Sequence, residues 1–187
     1  MSPAAIVAVL AGGASRRMGA PKPGAPLGGR PLIAWPLAAA AAAGLRAVVV
    51  AKGSTPLPPL DVEVWLEPER PQHPLTGLVC ALQRAGGPIV AVACDQPWVP
   101  PELLARLAAA EGCAAVSAGG TPEPFPARYP LAALPALRRG LEAQAPLRRI
   151  LATLAPVAID AEDARLLASL NTPEALAAAE RSLASPP

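Results

Sequence analysis

The chain has 187 residues, which suits one compact domain over 1–187 rather than two. Hydrophobic residues make up 52% and charged residues 16%, which excludes disorder; a net charge of +2 is too small for a surface built to hold nucleic acid or a membrane. The three cysteines, Cys80, Cys94 and Cys113, are widely spaced and odd in number, so they make neither a disulfide framework nor a metal pattern and point to a reducing, cytoplasmic setting.

The first element is the apolar run Ile6–Leu10, read as a buried strand. Gly12-Gly13 and then Arg16-Arg17 follow it, an order opposite to that of a signal peptide, whose basic residues come first. Leu32–Ala43 reads as a helix, with Pro36 near its start or kinking it. The uncharged stretch around it falls short of the ~20 strongly apolar residues that cross a bilayer. Strands are expected at Ala47–Ala51, Val62–Leu66, Ile89–Cys94 and Ala114–Ala118, and helices at Leu75–Ala85 and Pro101–Ala110. Pro101 followed by Glu102 opens the latter well, with proline in the first turn and a carboxylate at the positive end of the dipole. Past residue 120 the pattern loosens. Leu131–Leu141, Leu147–Leu154 and Pro173–Leu183 read as helices, the last capped by Asn171 or Thr172, and Val157–Ile159 as a strand. Strand–helix alternation predicts an α/β fold of three layers, a mostly parallel sheet with helices on both faces, and a ligand site beyond the carboxyl ends of the strands.

Two strand exits carry chemistry of their own. The first strand runs into Leu10-Ala11-Gly12-Gly13-Ala14-Ser15-Arg16-Arg17-Met18-Gly19, with Lys22 three residues on. Adjacent glycines let the backbone approach a ligand, and Arg16, Arg17 and Lys22 supply charge for a polyphosphate. The glycine spacing is not that of a dinucleotide fingerprint, and no Gly-Lys-Ser/Thr follows to make a P-loop. Two glycines alone would be an ordinary turn; three cations on the same exit favour phosphate binding. The second exit is Cys94-Asp95-Gln96-Pro97, after Ile89–Ala93. A carboxylate there is a turn former before proline or a ligand for a hard cation, and the residues themselves leave the two readings even.

These motifs resemble the molybdenum cofactor nucleotidyltransferases, a branch of the Rossmann-like nucleotidyltransferases, and the paired Gly12-Gly13 is similar to the guanylyltransferase version. The resemblance implies that Leu10, Ala11, Gly12 and Gly13 line a guanine site, with backbone groups of the first three reading the base, and that Lys22 holds phosphate. It implies that Asp95 binds magnesium, and that Arg16 or Arg17 assists Lys22 in the transfer. Glu67, in Glu67-Pro68-Glu69-Arg70, stands where the family carries a nucleotide-contacting carboxylate, and His73-Pro74-Leu75-Thr76-Gly77 is similar to the family's Gly-Pro-Leu-x-Gly turn. Leu170-Asn171-Thr172-Pro173-Glu174 is similar to the family's last motif, which gives Asn171 a place beside the acceptor or metal. Acceptor contacts would fall near Pro124–Tyr129. Pro21, Ala51-Lys52, His73 and Ser169 depart from the family pattern. His73, the sole histidine, is read as an exposed loop residue. The function so implied is GMP transfer from GTP to molybdopterin with magnesium, and transient contact with cofactor-handling proteins or molybdoenzymes. A transferase of CTP or a sugar phosphate, and a non-catalytic nucleotide- or cofactor-binding module, stay open beside it.

Overall fold

In the structure, a computed structural model describing residues 4–13, 18, 19, 21–161 and 163–184, strands and helices alternate along most of the chain. They are β1 (Ile6–Leu10), β2 (Pro26–Leu27), β3 (Arg30–Pro31), α1 (Ala34–Ala42), β4 (Ala47–Lys52), β5 (Glu63–Glu67), α2 (Pro74–Ala85), β6 (Ile89–Ala93) and α3 (Pro101–Ala109). After these come β7 (Ala114–Ala118), β8 (Thr121–Tyr129), α4 (Leu134–Glu142), α5 (Leu147–Thr153), β9 (Val157–Asp160) and α6 (Pro173–Ala184). Pro36 sits in the first turn of α1, where its missing N–H leaves no helical bond unmade.

Seven strands form one sheet in the order β5-β4-β1-β6-β8-β7-β9, with β2 and β3 as a separate hairpin. The pairs β5–β4, β4–β1, β1–β6 and β7–β9 are parallel, and β8 runs antiparallel to both β6 and β7. The parallel half consists of apolar runs because both of its faces are covered. Alternate residues serve opposite layers. Val7, Val9, Val90 and Val92 pack with Leu103, Leu104 and Leu107 of α3 and with Ala39 and Ala40 of α1. Ala8, Val48, Val50 and Ala91 pack with Leu75, Leu78 and Leu82 of α2 and with Leu137 and Leu151 of α4 and α5. Each fully buried leucine contributes about 1.5–3 kcal/mol. The expected three-layer α/β fold is therefore present.

Two parts of the sheet do not follow from apolar runs. β8 covers Pro124–Tyr129, the segment where acceptor contacts were expected, and its prolines and charged residues hide its strand character. β2 and β3 make only two residue pairs, Pro26 with Pro31 and Leu27 with Arg30. Leu27 and Leu32 on either side of this small hairpin pack with Leu170 and Ala179, so the C-terminal segment closes over it. Chain order turns back at β1: β4 and β5 lie on one side and β6 on the other. A ligand crevice forms beyond the carboxyl ends of strands at such a switch.

Candidate nucleotide and metal site

The carboxyl ends of β1, β5 and β6 open into a cleft of about 620 Å³, within the range of small-molecule sites. Leu10, Ala11, Gly12 and Gly13 line it from the exit of β1, Glu67 from the end of β5, and Asp95 from the exit of β6. Lys22 and Asn171 complete it from segments far apart in the chain. The cleft thus gathers every residue expected at the site except Arg16 and Arg17, which lie outside the described residues.

Lys22 is the hub of one end. It begins a 3₁₀ turn over Lys22–Gly24, and Pro21 before it fixes the entering backbone in an extended conformation. Lys22 Nζ donates to Asp95 Oδ2 at 2.7 Å and to Asn171 Oδ1 at 2.5 Å, joining positions 73 and 149 residues away. The Lys22 and Asp95 side chains keep 17% and 11% of their surface open, so the pair is partly buried but still borders the cleft. Asp95 is held by its neighbours: the Leu170 N–H donates to the Asp95 carbonyl at 2.9 Å. Next to it, buried Gln96 accepts from the Ala93 N–H at 3.2 Å and donates to the Phe125 carbonyl at 2.9 Å. Asn171 does not cap α6; Thr172 does, its hydroxyl accepting from the Ala175 N–H at 3.2 Å, which leaves the Asn171 oxygen to Lys22. Cys94 borders the cleft but is buried in the core cluster, and that burial pushes its thiol up to about 12, so it stays protonated.

The other end is built around Glu67. Its carboxylate pairs with Lys52 at 3.3 Å, both side chains 6% exposed. Lys52 Nζ also donates to the Pro68 carbonyl at 2.9 Å. Burial raises the Glu67 carboxyl above its ordinary value, a shift that the Lys52 ammonium opposes. The carboxylate reaches the cleft only because two neighbours lack side chains. A Cβ on Gly12 would lie 1.6 Å from Glu67 Oε1, and one on Gly77 would lie 2.9 Å from Oε2. Gly77 is the fourth residue of α2, inside the helix, where a glycine costs up to about 1 kcal/mol against alanine. The close approach accounts for it.

A family model, the MobA-like NTP transferase domain, matches residues 7–159. The chain belongs to the MobA-like NTP transferase family. It is a nucleotidyltransferase. Among solved structures it resembles molybdopterin-guanine dinucleotide biosynthesis protein A from Archaeoglobus fulgidus, at 28% identity over 95% of this chain and 98% of that one, with a TM-score of 0.76. A nucleotidyl transferase from Methanothermobacter aligns with a TM-score of 0.79 at 22% identity, over 98% of this chain and 99% of that one. The 2-C-methyl-D-erythritol 4-phosphate cytidylyltransferase of Thermus thermophilus aligns at 0.70 and 17%, over 97% of this chain and all of that one; these last two share the fold. No curated protein matches the chain.

Within this MobA-like domain several expectations need correction. His73 is not an idle loop residue: its Nδ1 accepts from the Leu75 N–H at 3.2 Å, so it caps α2. Gly13 has no left-handed φ, and a Cβ there meets nothing within 4 Å among the described residues; Gly12 is the demanding glycine. The Ala11 N–H donates to the Val50 carbonyl at 2.8 Å, so the sheet takes one of the amides expected to read a base. Of Pro124–Tyr129, Phe125 lines the cleft. Arg128 instead donates to the Gly112 carbonyl and Tyr129 to the Pro124 carbonyl. The sequence reading missed Lys52. Its only signal was a cation closing an apolar strand, at Ala51-Lys52, where the chain departs from the family pattern. No helix of the described residues is long and apolar enough to cross a membrane.

Proposed function

We propose that this MobA-like transferase moves GMP from GTP to molybdopterin and releases pyrophosphate, forming the guanine dinucleotide form of the cofactor. The observation that carries the reading is the convergence of Lys22, Asp95 and Asn171 at one end of a nucleotide-sized cleft whose other end presents Glu67. The likeness to an archaeal protein of molybdopterin-guanine dinucleotide biosynthesis supports the choice of substrates.

Both reactants are anions, so the chain's task is positioning and charge neutralisation rather than covalent catalysis. Lys22 lies at the phosphate end, and its ammonium passes from Asp95 and Asn171 to phosphate oxygens when the triphosphate enters. Arg16 and Arg17, a few residues before Lys22 in the sequence, are proposed to assist with the leaving pyrophosphate. The hard oxygen donors of Asp95 and Asn171 suit magnesium, which characteristically takes one or two carboxylates together with waters and phosphate oxygens. When bound, magnesium supplies positive charge to the reacting phosphates. Backbone groups from Leu10 to Gly12, with Glu67, face the base. The proposed setting is the cytoplasm, with passing contact to cofactor-handling proteins or molybdoenzymes.

The deciding experiment incubates the protein with molybdopterin, magnesium and each radiolabelled triphosphate. Label appearing in the cofactor from GTP alone is the expected result. Transfer from CTP, or nucleotide binding without turnover, overturns the assignment in two distinguishable ways.

A further inference from the structure

Lys52 is the last residue of β4 and Glu67 the last residue of β5, and the parallel register sets them directly side by side. A buried ammonium and a buried carboxylate are each costly to desolvate, and such pairs often add no stability over an apolar pair of the same volume. Stability therefore does not account for placing this pair at the edge of a cleft. Nor does Lys52 itself reach the cleft, which Glu67 alone of the two lines.

The geometry gives the pair another task. Lys52 is fixed twice, by the Pro68 carbonyl at 2.9 Å and by Glu67 Oε1 at 3.3 Å, so it braces one oxygen of the carboxylate from behind. Among the described residues nothing donates to Oε2. Oε1 lies against Gly12 and Oε2 against Gly77, so neither neighbour puts a side chain over the carboxylate where it lines the cleft. A braced, ionised carboxylate with open acceptor capacity matches a ligand that offers two adjacent N–H donors. Guanine offers such a pair in N1–H and the N2 amino group. Cytosine offers a single amino donor, N4–H₂, with the acceptor N3 next to it, so it could satisfy one carboxylate oxygen but not both.

We infer that Lys52 is a positioning residue that holds the Glu67 carboxylate between Gly12 and Gly77 as the acceptor for the N1–H and N2 amino donors of guanine. The inference rests on the proposed reading of the cleft as a GTP site. It adds to the base-facing carboxylate of Glu67 a second side chain, Lys52, that orients it.

The test is a comparison of GTP with ITP, which lacks only the N2 amino group, by calorimetric titration of the intact protein. The unsubstituted protein should bind GTP about 10-fold or more tightly than ITP, as the loss of one charge-assisted hydrogen bond requires. In Glu67→Gln and in Lys52→Met that ratio should fall toward one. Equal GTP and ITP affinities in the unsubstituted protein, or an undiminished ratio in folded Lys52→Met, overturn the inference and leave guanylyl transfer standing. A preference for CTP in the unsubstituted protein overturns both. Because Lys52→Met strands a buried carboxylate and so threatens folding, Lys52→Met/Glu67→Gln is measured beside Glu67→Gln. If Lys52 acts only through Glu67, the two ratios coincide; a further change from Lys52→Met in that background overturns the inference.

Discussion

The two ends of the cleft each hold a lysine–carboxylate pair, and the pairs are built in opposite ways. Lys22 and Asp95 come from a loop turn and a strand exit 73 residues apart, and both are partly buried but border the cleft. Lys52 and Glu67 come from adjacent strands in register, and both are sealed at 6% exposure. A pair that borders the cleft exchanges partners at smaller cost, so an incoming triphosphate can take Lys22, and Asp95 is left to a cation. A sealed pair cannot exchange so cheaply, because parting its members strands a charge in a low dielectric. One end is made to be opened by substrate, the other to stay as it is while a base docks against it. The difference lies in burial and register, since the charged groups are alike.

That contrast is tested hardest at Asp95. Asp95→Asn keeps the volume and the backbone bond from Leu170 but removes the charge. We expect turnover to fall by about 4 kcal/mol of transition-state stabilisation, roughly a thousandfold. Thermal melting should be close to unchanged, because the pair borders the cleft. Near-normal turnover by the folded variant would remove Asp95 from the chemistry, and a collapse in stability would mean that the open pair is as structural as the sealed one.

Lys22→Ala sharpens the same end. One charge-assisted contact to phosphate is worth about 1.5–3 kcal/mol, so GTP affinity should fall roughly 10- to 100-fold with little loss of stability. Unchanged titration curves would make the Lys22 hub a surface feature.

At the sealed end, pH is the probe. Burial raises the folded-state carboxyl of Glu67 above its ordinary value of 4.5, with Lys52 opposing and the nearby Glu69 adding to the rise. Cys80 of α2 also lies within electrostatic reach of this carboxyl. A carboxyl raised in the folded state binds its proton more tightly there than in the unfolded chain. The stability it contributes is complete below about 4.5 and is lost as pH climbs through the raised value. Lys52→Met/Glu67→Gln removes this dependence. In urea unfolding, the double variant should therefore gain on the parent as pH goes from 4 to 7, by an increment smaller than the Lys22 effect. A difference that stays flat across that window would mean that burial does not disfavour the ionised carboxylate.

The sequence made the parallel half of the sheet and most of the site legible, for the same physical reason. Strands covered on both faces must be apolar throughout, so Ile6–Leu10 and Ile89–Ala93 stand out, and ligand-facing residues follow directly at Gly12 and Asp95. β8 was hidden because Pro122, Glu123, Pro124 and Pro126 look like loop, although it pairs with β7 directly before it as well as with the more distant β6. The role of Lys52 was hidden for a related reason. A lysine ending a strand is normally a solvated tip, and nothing local shows that Glu67 lies beside it across the sheet. Gly77 carried a faint signal, a glycine inside a helical run, but its cause is contact with a carboxylate ten positions earlier.

The smallest expected effect separates two adjacent glycines of the first strand exit. Gly12 presses on Glu67: a Cβ would lie 1.6 Å from Oε1, so Gly12→Ala must push the carboxylate off its brace. Forced repacking of this kind costs about 1–3 kcal/mol, and it should appear as weaker GTP binding together with lower stability. Gly13 is the next residue and an equal part of the motif, yet its φ lies outside the left-handed region and a Cβ there meets nothing within 4 Å among the described residues. Gly13→Ala should therefore change stability by no more than about 0.5 kcal/mol. Any loss it does cause must come from the ligand, since the free protein has room for the methyl group. Measuring melting and GTP titration for both variants distinguishes the cases. Equal damage from both would mean that the turn needs two glycines for its own shape. Damage confined to Gly12→Ala would place the demand where the sealed pair meets the turn. Loss of GTP binding without loss of stability in Gly13→Ala would show instead that the second glycine is there for close approach of the nucleotide.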